Sequence, residues 1–177
     1  MSADVQADAS PFQILLHYAE MSRERREMRV NHGDYTDGYL AFNVSDDYYL
    51  IGMTQVLEVA TDVGNITPLP FSPNWLLGLT SHRSEVYSVV DFGRFLGKKS
   101  RPTTGGQQIR NFILLRDVGQ GYILKVDHVY GIRSCEIGLL QSQYGWIDGH
   151  AHMEEKDWMR INLANLVADT AFVQSIQ

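Results

Sequence analysis

Two stretches of this 177-residue chain gather the residue types that enzymes use for chemistry. Residues 78–92, GLTSHRSEVYSVVDF, hold His82, Arg83, Ser84, Glu85 and Asp91; residues 148–155, DGHAHMEE, hold His150, His152 and Glu154. A triad of Ser84, His82 and Asp91 would supply a nucleophile, its base and the carboxylate that orients the base, and would need an oxyanion hole beside it. On a strand, residues 82 and 84 share a face, but no nucleophile elbow or Gly-rich oxyanion turn surrounds Ser84. The stretch reads instead as a polar strand end facing solvent or a partner. The H-x-H-x-E spacing places three ligand types on one side of an extended chain, as a divalent metal would require. No fourth ligand is evident, and the stretch reads as a solvated loop. Cys135, in GIRSCEIG, has Arg133 close enough to lower a thiol pKa but no histidine beside it, and reads as a small strand-end residue. No glycine pattern of the kinds that cradle phosphate is present. Neither a catalytic residue, a metal nor a cofactor is expected.

The elements that carry these residues read as mainly β. Apolar residues form 44% and charged residues 20% of the chain, ordinary globular usage, and 177 residues suffice for one domain or two small, tightly joined subdomains. The net charge of −6 argues against a dedicated nucleic-acid binder and favours protein partners. With one cysteine there is no internal disulfide; without a secretory leader or a membrane-length apolar run, the expectation is a cytoplasmic protein.

After a polar leader, Pro11 opens a segment with Ile14, Leu15, Tyr18 and Met21 on one helical face, an expected amphipathic helix within a leader spanning residues 1–37. From Tyr39 the pattern turns to short runs rich in Tyr, Val, Ile and Phe: YLAFNV, YYLIGM, VLEVA, EVYSVVDF, NFILLRD, GYILKV and HVYGI. SDD at 45–47 and DVGQG at 117–121 separate such runs as hairpin loops would. Tyr48, Tyr49, Tyr87 and Tyr122 read as core or cross-strand packing. Aligning YLIGMTQVLEV (49–59) with YILKVDHVYGI (122–132) pairs Tyr49 with Tyr122, Val56 with Val129 and Val59 with Ile132, a weak repeat that suggests two similar β units, each of a size to close into a small barrel. Between them LGKKSRPTTGGQQIR (96–110) reads as an exposed basic loop, and residues 158–176 read as a strand-like start followed by a closing helix.

The order of these pieces resembles the CheW-like family of chemotaxis coupling proteins. Val56, Glu58 and Val59 match the family's V-x-E-V/I element; Ile66, Pro68, Leu69 and Pro70 match I-x-P-V/L-P; Gly78 and Arg83 fit G-V-x-N-x-R-G; Val89, Val90 and Asp91 fit P-V-I-D-L; Val126, Asp127 and Val129 fit V-D-x-V. The resemblance implies that residues 38–177 form a body of two five-stranded β barrels with a C-terminal helix. It implies no catalysis. It implies a bridge between the regulatory domain of a CheA-type histidine kinase, bound at one barrel's edge, and the cytoplasmic tip of a methyl-accepting receptor, whose helical hairpin enters the groove between barrels. Arg83, with Val56, Glu58 and Val59, falls to the receptor-facing surface, and Asp91 and Asp127 to structural bracing of strands. The short leader, PFQILL, Trp75 before LLGL, and the Trp-containing tail look most like PilI-type members, which serve type IV pili and twitching motility. A β-barrel module for protein or small-ligand binding outside chemosensory signalling is the alternative. The chain departs from the family at the turn: Ser81 stands for Asn, Ser84 for Gly, Ser88 for Pro, and His82 takes a usually apolar position. A serine kept at a positive-φ glycine position costs on the order of 1 kcal/mol.

Overall fold

The computed structural model describes residues 38–99, 111–115 and 121–173. The expected N-terminal helix, most of the basic loop and most of DVGQG lie outside the described residues. Eleven strands, a 3₁₀ turn and three short helices follow in order: β1 (Gly38–Val44), β2 (Asp47–Gly52), the 3₁₀ turn (Met53–Gln55), β3 (Val56–Ala60), β4 (Leu76–His82), β5 (Glu85–Asp91), α1 (Phe92–Phe95), β6 (Asn111–Leu115), β7 (Gly121–Val126), β8 (His128–Ser134), β9 (Gly138–Leu139), β10 (Ile147–Met153), β11 (Lys156–Ile161), α2 (Leu163–Ala168) and α3 (Thr170–Val173). They form two sheets, one of order β8-β1-β2-β11-β10-β9 and one of order β3-β6-β7-β5-β4. The first has six strands where five are expected, because the two-residue β9 pairs with β10.

The repeat is real and reaches well beyond residues 49–59. In each sheet a hairpin (β1–β2, β6–β7) has its second strand parallel to the last strand of a hairpin from the other half of the chain: β2 beside β11, β7 beside β5. The strand after each first hairpin crosses to the other sheet, so β3 pairs with β6 and β8 with β1. Both crossing strands carry a bulge at the matching place, between Val56 and Glu58 in β3 and between Val129 and Gly131 in β8. The later hairpins match as well, with Trp75 corresponding to Trp146 and Gly78 to Gly149. The backbone N–H of Asp91 donates to the Trp75 carbonyl, and that of Asn162 to the Trp146 carbonyl, both at 2.8 Å. Asp91 then caps α1 by accepting from Arg94 N–H, and Asn162 caps α2 by accepting from Asn165 N–H.

Three apolar clusters follow from this exchange. One lies between the sheets and takes Phe42, Tyr49 and Ile51 from the first, Val90, Ile113, Tyr122 and Leu124 from the second, and Phe92, Trp146 and Phe172 from the elements that close the ends. Inside the five-stranded sheet lie Tyr87, Val89, Phe112, Leu114 and Ile123; inside the six-stranded sheet lie Ala41, Leu50, Ala151 and Trp158. The central strands β2 and β7 therefore bury both faces, which is why YLI and YIL are continuous apolar runs rather than alternating ones. Tyr49, Tyr87 and Tyr122 are buried as expected and Tyr48 is half-buried.

Residues 148–155 are not the loop that their composition suggests. Residues 148–153 belong to β10, with Gly149 and Ala151 buried and His150 and His152 on the exposed face, and Glu154 and Glu155 make the turn into β11. Strand alternation explains the misreading: small residues face the sheet interior and polar ones face water. The closing helix is two short helices, with Asp169 between them in extended conformation.

Candidate functional site at the β4–β5 turn

The β4–β5 hairpin closes on two residues, Arg83 and Ser84, after the pair His82 and Glu85. Arg83 has φ 51° and Ser84 φ 67°. Two-residue hairpins of this hand need positive φ at both centres, which Asn-Gly supplies cheaply and Arg-Ser does not. Ser84 thus holds a conformation that a glycine would take without strain. Ser84→Gly is expected to raise the stability of the chain by about 1 kcal/mol in a denaturant titration, and a loss of stability would contradict that account. The matching turn of the other half is also non-glycine, with Glu154 at φ 52° and Glu155 at φ 59°.

The turn is held from across the sheet. β3 and β4 are the outermost strands of the five-stranded sheet, yet the Glu58 side chain on β3 meets the β4–β5 turn. Arg83 Nη2 lies 3.0 Å and His82 Nε2 3.4 Å from the same oxygen, Glu58 Oε2. The sheet must curl to bring these strands together. The segment after β3 seals the seam: Thr67 and Leu79 exchange backbone hydrogen bonds of 2.8 and 2.9 Å, and the buried Thr80 hydroxyl shares its one proton between the carbonyls of Val63 and Asn65, at 2.8 and 2.9 Å. The other half closes comparably with charges reversed, Arg133 on β8 lying 3.6 Å from Glu154.

Beside Arg83, the Tyr87 hydroxyl donates to Glu85 at 2.8 Å. Burial, then that hydrogen bond, raises the phenol pKa, so Tyr87 is neutral. The Arg83 side chain is 73% exposed, so its pair with Glu58 contributes no more than about 1 kcal/mol and most of the guanidinium fork faces solvent. Val56 is 5% exposed and belongs to the core between the sheets, whereas Val59 is 40% and its neighbour Leu57 47% exposed. Val86 on β5 is exposed too. This sheet thus exposes apolar side chains on β3 and β5 and a cation at its β4–β5 turn. Sequence reasoning missed Leu57 and Val86, which look like ordinary strand residues until burial is known.

The Ser-His-Asp arrangement is not assembled. His82 contacts Glu58, while Asp91 ends the seven-residue β5, about 20 Å of strand away from the turn. There Asp91 Oδ2 accepts from Lys125 Nζ at 2.8 Å and lies 3.6 Å from Arg94 Nε. Asp127, just past β7, accepts from Ser45 N–H across the β1–β2 turn. Among the described residues no three of His, Cys, Asp and Glu are placed to hold a metal; His152 is 2.8 Å from Asp157 instead. Burial pushes the Cys135 thiol pKa up, away from a reactive thiolate. No helix among the described residues is long and apolar enough to cross a membrane.

Protein FrzA of Myxococcus xanthus is 42% identical over 101 residues, which cover 56% of this chain and 59% of FrzA. The match therefore spans less than two thirds of that relative. The crystal structure of the scaffolding protein TtCheW from Thermoanaerobacter tengcongensis superposes with a TM-score of 0.66 at 22% identity, over 77% of this chain and 95% of that one; this likeness concerns the fold. The profile described as the CheW-like domain matches residues 38–171, from the first residue of β1 into α3. Crossed sheets, seam and turn all fall inside that span, and the chain belongs to the CheW-like domain family.

Proposed function

We propose that this chain is a non-enzymatic chemosensory adaptor that couples a methyl-accepting receptor to a CheA-type histidine kinase. The observation that carries the reading is the seam of the five-stranded sheet, where Arg83, 25 residues beyond Glu58 in sequence, pairs with it at 3.0 Å on a strand whose next residue, Val59, is 40% exposed. Exposed apolar side chains on β3 together with the exposed Arg83 guanidinium suit the side of a helical hairpin that presents apolar residues and a carboxylate. Leu57, Val59 and Arg83 make the receptor contact, Glu58 holds Arg83 in place, and buried Val56 fixes β3 from behind. Asp91 and Asp127 brace strand ends and touch no partner. The kinase's regulatory domain takes a strand edge or barrel end elsewhere on the body. The chain works in the cytoplasm, recruited to receptor arrays, and the PilI-type features of its leader and tail favour control of type IV pili and twitching.

Isothermal titration with the regulatory domain of the CheA-type kinase from the same cell tests this. Association in the micromolar range is expected, as for transient signalling contacts. Absence of heat up to about a millimolar, where weak contacts still register, removes the adaptor reading and favours a β-barrel module outside chemosensory signalling.

A further inference from the structure

His82 is the residue at this site that nothing so far explains. Its side chain is four-fifths buried, and its Nε2 faces the one Glu58 oxygen that also receives Arg83. A carboxylate oxygen approached by a guanidinium at 3.0 Å and an imidazole at 3.4 Å does not hold both equally: the closer, charged donor has the better hydrogen bond, and the second gains strength when it becomes charged. Imidazole is the side chain that changes charge between pH 5 and 8.

We propose that His82 is a positioning residue that sets how freely Arg83 can be given to an acidic partner, by competing with it for Glu58 Oε2. With His82 neutral, its ring offers Glu58 at most a long neutral hydrogen bond, and the closer guanidinium keeps the stronger hold and stays tethered over the seam. With His82 protonated, the imidazolium draws the carboxylate toward itself and Arg83 is released to solvent. The charged and titratable groups around the ring are Glu58 on β3, Arg83 in the turn, and Glu85 and Tyr87 on β5. Glu85 is the cross-strand partner of His82, but its carboxylate accepts from the Tyr87 hydroxyl, and the Tyr87 ring stands edge-on to the imidazole at 6.4 Å. Tyr87 stays neutral throughout this range, since its phenol pKa is raised. The competition therefore falls on Glu58. Its sign is definite: an acidic surface binds more tightly as the solution becomes more acid. The effect is no more than about five-fold, because an exposed ion pair is the thing exchanged.

This inference rests on the docking role of Arg83, and its test separates the two. In the free full-length chain, the Arg83 Nε–Hε and His82 ring signals are followed by NMR between pH 5 and 8. The Arg83 signal is expected to move with the midpoint of His82 in the wild type, to stay still in His82→Gln, and to be uncoupled from a still-titrating His82 in Glu58→Gln. An Arg83 signal that stays still while His82 titrates in the wild type overturns the proposal, as does a His82 that does not titrate in that range. Either result leaves the docking role of Arg83 standing. That role is lost only if charge reversal at Arg83 leaves binding of the purified receptor hairpin unchanged.

Discussion

Alanine at Gly78 is expected to cost at least about 3 kcal/mol and to open the five-stranded half of the molecule, whereas alanine at its repeat partner, Gly149, costs about 1 kcal/mol. Both glycines sit at the start of a second-hairpin strand, beside a bulge. Gly78 has φ 136°, and a β-carbon there would run into the backbone carbonyl of Thr67 and the Cα of Pro68. Those atoms belong to the strap whose bonds to Leu79 seal the seam, so neither can retreat without breaking it. The conformation is itself nearly closed to a side chain. At Gly149 a β-carbon would meet the Cγ2 methyl of Ile137, with the Gly138 carbonyl and Arg160 Nε beyond 3.0 Å, so the one hard contact is with a side chain and not with backbone, and the backbone is not in the left-handed region. Paired denaturant titrations read the difference directly. Equal costs at the two positions would contradict the claim that the strap, and not the bulge, makes Gly78 indispensable.

Reversal of charge at Arg83 is the second large effect. Arg83→Glu is expected to weaken association with the receptor hairpin at least about ten-fold while leaving affinity for the kinase's regulatory domain within about two-fold of wild type. Two repulsions add here, one between the new carboxylate and the acidic group that the cation would have met, the other between it and Glu58, 3.0 Å away in the wild-type pair. The second would be felt in the free protein as well, as a stability loss of about 1 kcal/mol or less, because the turn is exposed. Arg83→Ala removes the attraction without the repulsion and is expected to weaken receptor binding about three-fold. Val59→Asp, which charges the exposed apolar surface of β3 without touching the ion pair, is expected to match Arg83→Glu. If both partners were lost in parallel, the variant would be acting on the fold and the surface assignment would be wrong.

Much of this architecture is legible from short apolar runs. Tyr49-Leu50-Ile51 and Tyr122-Ile123-Leu124 announce matching central strands because both must bury two faces, and no helix pattern competes with them. The second half of the duplication is harder to see. WLLG at 75–78 and WIDG at 146–149 are its clearest trace, but between these landmarks the matched positions share only burial. Gly149 and Ala151 fill inward places beside two outward histidines, so composition points to a loop. The crossing of β3 and β8 between sheets is not written in either strand's own residues. It follows from which hairpin each can reach, a property of the whole chain.

The site shows a similar division. Glu58 and Arg83 can be named from motif spacing, whereas their meeting at one seam requires the curl of the sheet. The opposite signs of the two matched turns, Arg83-Ser84 and Glu154-Glu155, also become meaningful only once the halves are superposed. Val56 belongs to the same motif as Glu58 and Val59, but the bulge that follows it turns it into the core. Adjacency in a motif thus places residues on one strand without placing them on one face.

The most direct test of coupling is simultaneous binding. Sedimentation velocity of the receptor hairpin, the kinase regulatory domain and this chain, mixed at concentrations where the first two do not associate, should reveal a faster boundary containing all three components. That boundary should vanish when the chain is omitted and shrink with Arg83→Glu. If the chain instead binds each protein only in the absence of the other, it is a competitor and not a bridge, and the adaptor account fails.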